Sequence, residues 1–146
     1  METIAMNDLT VKVTKTIHAP IEKVFDAWLN PEMLSKFILP MPGMPHPQIE
    51  TDACEGGNFT IIMQVGDDKI PHTGKYVEIS RPNKLIFTWE SPFSIDGSTV
   101  TLELSDLGEN KTSIHLTHIK FPDEESRVNH EGGWENILDA LNNILS

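Results

Sequence analysis

The chain has 146 residues, with 11 Lys and Arg against 22 Asp and Glu, a formal net charge of −11 at pH 7. That balance excludes general phosphate-backbone binding, which rests on concentrated Lys and Arg, so nucleic acid is not an expected partner. The longest apolar runs, such as Ile61 to Met63 and Phe37 to Leu39, fall far short of the ~20 residues of a membrane span. The lone Cys54 excludes an internal disulfide framework and any multi-thiolate metal centre.

The segment Met1 to Asp8 has neither a basic nor an apolar signal region, so a cytoplasmic protein with a flexible N-terminus over residues 1–8 is expected. Residues 9–146 read as one domain, because no linker or internal repeat divides the apolar pattern. Leu9, Val11, Val13 and Ile17 alternate with Thr10, Lys12, Thr14 and Thr16, the period of a strand with one buried face. Pro20 suits a helix start, and Ile21, Val24, Phe25 and Trp28 follow at helical spacing. Asn30-Pro31 ends that helix and caps a second short one over Glu32 to Phe37.

Four prolines between Ile38 and Pro47 impose an extended, apolar loop. Strands are then predicted over Gln48 to Ala53, Asn58 to Val65, His72 to Ser80, Leu85 to Ser91, Thr99 to Leu104 and Thr112 to Ile119. Turn residues separate them, among them Gly66-Asp67-Asp68, Arg81-Pro82-Asn83 and Leu107-Gly108-Glu109-Asn110. With the N-terminal strand this makes an antiparallel meander of seven. Asp123 to Leu145 closes the chain as the longest helix, with Trp134, Leu138, Leu141 and Leu145 on one face and acidic residues at its positive end. The Gly132-Gly133 pair inside it, at a cost of ~1 kcal/mol per Gly, implies a kink, a close approach or room left for something.

The fold expected is α+β, a helix-grip: a curved seven-stranded antiparallel sheet, two short helices, and the long C-terminal helix over the concave face. A helix of ~34 Å by ~10 Å is too narrow to fill such a bowl, so an internal cavity is predicted.

The residues also carry a family resemblance. APIEKVFDAWLNPEML (Ala19 to Leu34), EGGNFTIIM (Glu55 to Met63), HTGKYVEISRPNKLIFTW (His72 to Trp89), TVTLEL (Thr99 to Leu104), KTSIHLTH (Lys111 to His118) and GGWENILDAL (Gly132 to Leu141) occur in the order found in the SRPBCC superfamily of START and Bet v 1-like domains. Within it the chain resembles the group named after the activator of the heat-shock-protein-90 ATPase. It departs from many members in having Phe37-Ile38 where they carry a tryptophan pair. The resemblance implies a domain holding a lipophilic small molecule between sheet and helix, and more weakly a chaperone or other protein partner in a stress-response role. The eukaryotic activator has a further N-terminal domain that makes much of its chaperone contact.

Strand parity points Phe59, Ile61 and Met63, Leu85, Phe87 and Trp89, and Val100, Leu102 and Leu104 inward with Ile114 and Leu116. Of these, Phe59, Ile61, Met63, Phe87, Trp89, Leu102 and Leu116 are candidate ligand-lining residues, with Phe37, Trp134 and Leu138 from the helices. The alternative for each is plain core. Tyr76 and His118 are the polar-tipped candidates, able to orient a ligand or, in an enzyme of the cyclase or hydrolase sort, to act as acid or base. Their alternative is a satisfied buried side chain. Glu78 shares the Tyr76 face by parity, or else pairs with Arg81 or Lys84.

His115 and His118, three apart on a strand, fall on opposite faces and cannot chelate together, and no HExxH or Cys/His cluster occurs, so no metal is expected. Ser91 lacks a nucleophile elbow, and Asp52 and Glu55 flank Cys54 with charges that oppose a thiolate. No catalytic residue and no cofactor are assigned. Gly56-Gly57 reads as a turn or bulge, not a nucleotide loop. The loops Pro40 to His46 and Pro92-Phe93 are candidates to rim the cavity mouth. The acidic helix residues Asp123, Glu124, Glu125, Glu131, Glu135 and Asp139 form a solvated face or meet a basic partner.

Overall fold

The computed structural model describes residues 9–38, 45–91 and 97–145. The expected flexible segment 1–8, most of the Pro-rich loop and the Pro92-Phe93 loop therefore lie outside the described residues. The elements are β1 (Thr10–Ile17), α1 (Ile21–Ala27), α2 (Pro31–Phe37), β2 (Gln48–Thr51), β3 (Asn58–Val65), β4 (Asp68–Ser80), β5 (Lys84–Thr88), β6 (Thr99–Gly108), β7 (Lys111–Ile119) and α3 (Glu124–Leu145). The strands form one seven-stranded sheet in the order β1-β7-β6-β5-β4-β3-β2. Every pairing is antiparallel, and the N-terminal strand closes beside the C-terminal one. The helix-grip expectation is met, and no helix among the described residues is long and apolar enough to cross a membrane.

One face of the sheet is apolar. Val11, Val13 and Ile17 of β1, Ile114 and Leu116 of β7, and Val100, Leu102 and Leu104 of β6 are all buried. Lys15 breaks the apolar side of β1 and forms an ion pair with Asp139 of α3. Across that face lies α3, burying Trp134, Ile137, Leu138, Leu141 and Leu145. Asp123 caps its start, its Oδ1 accepting from the Ser126 amide at 2.8 Å. The ten positions from Glu124 to Gly133 include no buried residue, so the helix is anchored by its second half.

The two short helices form the corner foreseen. Pro31 stands at the first turn of α2, and Asn30 Oδ1 accepts from the amides of Glu32 at 2.9 Å and Met33 at 3.2 Å. Phe37 meets Trp28 edge to face, ring centroids 4.9 Å apart.

Several boundaries differ from expectation for identifiable reasons. β4 starts at Asp68, not His72, because Gly66 at φ 63° makes the turn tight enough to pair Val65 with Asp68. The pairing extends through Pro71, in the stretch of β4 that β5 does not reach. β6 runs on to Gly108, since Glu109 and Asn110 at φ 54° and 59° complete a two-residue hairpin.

Parity fails at Glu78. A register shift between Tyr76 and Glu78 sets Glu78 opposite Ile86 and Ile79 opposite the buried Leu85, so Glu78 does not share the Tyr76 face. Glu78 accepts from Ser80 Oγ at 2.8 Å, and Arg81 pairs with Asp26 instead.

Candidate functional site

The bowl of the sheet is largely filled by its own aromatic side chains. Trp89, just beyond β5, is the hub, with ring centroids of His72 at 5.0 Å, Trp134 at 5.1 Å, and Phe59, Phe87 and His118 each at 6.3 Å. Phe59 also contacts Tyr76 at 5.4 Å and Phe87 at 5.5 Å. Gly74 makes this possible: a Cβ there would lie 2.5 Å from the Phe59 ring and 2.1 Å from the Thr88 carbonyl. The predicted cavity is therefore narrowed mainly from the sheet side, by rings that Trp134 of α3 joins.

Among the described residues, two voids border Trp89. The smaller, about 20 Å³, lies among Phe59, Ile61, Tyr76 and Phe87 of the sheet and Trp28, Leu34 and Ile38 of the helical corner. It has the volume of a single water. The larger, about 140 Å³, is bounded by Met63, His72 and Trp89 on the sheet side and by Asn129, His130, Gly133, Trp134 and Ile137 on α3. Asn129 is exposed and His130 and Gly133 are half-buried, so this cavity meets solvent beside the poorly anchored half of α3.

Among the twelve residues proposed from sequence, Met63, Trp89 and Trp134 thus line the larger cavity, and Phe59, Ile61, Tyr76 and Phe87 line the smaller with Trp89. Phe37, Leu102 and Leu116 are buried in packed core and border neither. Leu138 borders a separate polar cleft of about 330 Å³ between β1 and α3, beside Lys15 and Asp139.

His118 is fully buried, and both its ring nitrogens are engaged. Trp134 Nε1–H donates to Nδ1 at 3.0 Å, so Nδ1 carries no proton and Nε2–H donates to Ser98 Oγ at 2.7 Å. Burial, helped by nearby His130, pulls its pKa down to about 3. Its neutral ring is consumed in holding β7, the residue before β6 and α3 together. Burial, reinforced by the charge of Asp52, pushes the Tyr76 phenol up to about 12, so it stays protonated. His115 is exposed on the opposite face, at 2.9 Å from Thr14 Oγ1. The Cys54 thiol is pushed up by residual desolvation and by Asp52, whose Oδ1 accepts from it at 3.6 Å.

His72 lies four residues before Tyr76 on the same buried face of β4, and it forms a polar part of the wall of the larger cavity. Burial pulls its pKa down to about 4. Its Nδ1 has no hydrogen-bond partner, and the backbone of Ile70 and of Ile61 beside the ring offsets part of the shift. Trp89 Nε1 also has none. Asn129, His130 and Ile137 were not foreseen as site residues. Helical spacing places His130, Trp134 and Ile137 on one face, and the Gly132-Gly133 pair marked the room beside it.

Comparison with known proteins follows this geometry. No curated protein matches the chain. Solved structures do. CalU16 from Micromonospora echinospora is 26% identical, with a TM-score of 0.72 over 94% of this chain and 76% of its own. A protein described as an HSP90 activator from Plasmodium falciparum is 24% identical, with a TM-score of 0.75 over 93% of this chain and 95% of its own. ChR145 from Cytophaga hutchinsonii, also 24% identical, reaches 0.76 over 99% and 96%. The family model described as Activator of Hsp90 ATPase homolog 1-like protein matches residues 18–146, from the entrance to α1 through the end of α3, and the chain belongs to that family.

Proposed function

We propose that the protein binds a small, largely apolar molecule, one ring in size, in the cavity between the sheet and α3. The observation that carries this reading is the space of about 140 Å³ walled by Met63, Trp89, Trp134 and Ile137. A closed apolar cavity of ~150 Å³ accepts benzene. The size favours a single aromatic ring over the lipid-like ligand that an open bowl would take, because a longer chain needs the ring cluster around Trp89 to move. The two engaged nitrogens of His118 and the protonated Tyr76 weigh against a cyclase or hydrolase using either residue.

Thermal unfolding with benzene, toluene, phenol and a medium-chain fatty acid tests it. A single-ring compound at 100 times its Kd should stabilise the fold by ~2.7 kcal/mol. No shift with any of the ring compounds overturns the reading.

A second reading, a protein partner of the chaperone type, is supported by the family and by the Plasmodium neighbour described as an HSP90 activator. Its test is direct. The purified protein, added at increasing ratio to a purified Hsp90, should raise ATP turnover; unchanged turnover at saturating ratio ends that reading.

A further inference from the structure

Among the described residues, the walls of the two voids have only Trp89 in common. The voids are also neighbours along the strands. Ile61 of the smaller and Met63 of the larger hold successive positions on the buried face of β3, about 7 Å apart along the strand. Tyr76 of the smaller and His72 of the larger stand on either side of Gly74 on β4, where no side chain rises to divide them.

The backbone of Trp89 is fixed. Its amide donates to the Ser98 carbonyl at 2.9 Å, and the next residue, Glu90, bridges to Thr73. Its indole is held differently. The side chain is buried and its Nε1 has no hydrogen-bond partner, so the ring keeps its place by packing alone. It packs against His72 and Trp134, which border the larger void, and against Phe59 and Phe87, which border the smaller. An aliphatic residue in its place strands no polar partner.

Resting on the reading of the larger void as a single-ring site, we propose that Trp89 is the residue that sets ligand size: its indole is the wall between the voids and confines the occupant to one ring. The fold provides a longer trough along β3 and β4 than one ring fills, and one side chain shortens it. With that side chain trimmed, the two voids and the volume of the indole join into a single space that admits two fused rings. The assignment concerns shape alone. His72 and His130, the titratable groups of the larger void's lining, stay in place, and neutral hydrocarbon probes make no demand on their charge.

NMR titrations with toluene and naphthalene test it on the natural protein, Trp89→Leu and Phe87→Leu. The natural protein should bind naphthalene about tenfold or more weakly than toluene, since a second ring overfills a packed wall. In Trp89→Leu the order should reverse. Phe87→Leu enlarges the smaller void but leaves the indole in place, so it should keep the natural order. A further measurement needs no variant: in the natural protein, nuclear Overhauser effects from toluene should reach the methyls of Met63 and Ile137 and not those of Ile61 and Leu34. Equal affinity of the natural protein for both compounds, an unchanged order in Trp89→Leu, a reversal in Phe87→Leu as well, or toluene contacts to Ile61 or Leu34 overturns the role of Trp89 and leaves the single-ring site standing. If the natural protein binds neither compound, the single-ring reading falls, and Trp89 keeps its role only if Trp89→Leu gains naphthalene.

Discussion

The indole N–H of Trp134 donates to Nδ1 of His118 at 3.0 Å, joining α3 to β7 across the interior. Because His118 is fully buried, removing the donor strands an acceptor with no route to solvent. Trp134→Phe should cost ~1–3 kcal/mol for that atom, added to the loss of packing. A double-mutant cycle with His118→Leu, read by urea unfolding, should return a coupling of ~0.5–3 kcal/mol. Strictly additive variants would mean that the bond contributes nothing to stability.

Acid should weaken the fold through two buried histidines. His118 and His72 are pulled from 6.5 to about 3 and about 4 by burial. Below pH ~6.5 the unfolded chain therefore takes up protons that the folded chain refuses. The stabilisation is whole above that pH and falls with decreasing pH, by up to ~1.4 kcal/mol per pH unit for each histidine, until the folded values are reached. Glu124, lowered from 4.5 mainly by its hydrogen bond from Arg127, adds a loss of the same sign only at lower pH. Urea midpoints between pH 7 and 5 thus isolate the histidines; a flat profile there would refute the assignment, and His72→Phe should remove about half the slope.

Gly74 is required by contact, not by backbone conformation. A Cβ at this position meets the Thr88 carbonyl at 2.1 Å as well as the Phe59 ring. Gly74→Ala should destabilise by ~2–3 kcal/mol or more, because β4 and β5 must separate to admit it. Trimming the ring with Phe59→Leu should not rescue the variant, since the carbonyl remains. Recovery of the natural thermal midpoint in the double variant would show that the ring alone sets the requirement.

Gly132 presents the opposite case. A Cβ there meets nothing within 4 Å, and the residue lies inside a continuous helix. Gly132→Ala should stabilise by ~0.5–1 kcal/mol through helix propensity and a less mobile unfolded chain. A loss of stability on calorimetry would reveal a bend at this point that the helix uses.

The fold was legible in the sequence because its information is periodic. Alternation from Val11 to Ile17 and from Thr112 to His118, and three-four spacing from Trp134 to Leu145, each survive in the burial of those residues. Where periodicity breaks, the reading broke with it. One extra residue between Tyr76 and Glu78 moved Glu78 to the other face, and no composition signal marks such a bulge. The cavity wall was legible in part. Met63, Trp89 and Trp134 stand in it because a cavity wall is drawn from the same inward residues as a core. His72 and His130 were passed over because their role depends on which void stays open, and that is decided by how the Phe59, Phe87 and Trp89 rings pack, a property of rotamers rather than of spacing.

The contact between Trp89 and Trp134 has an optical consequence. The chain has three tryptophans, and two of them stand with centroids 5.1 Å apart across the interior. Indoles this close couple their strong far-ultraviolet transitions, so the circular dichroism there should carry a paired exciton band whose sign and splitting depend on the mutual orientation of the two rings, here inclined by 58°. Any molecule seated between sheet and helix, or any rise of α3 from the sheet, rotates one transition dipole against the other. The protein thereby contains an unlabelled gauge of its own closure.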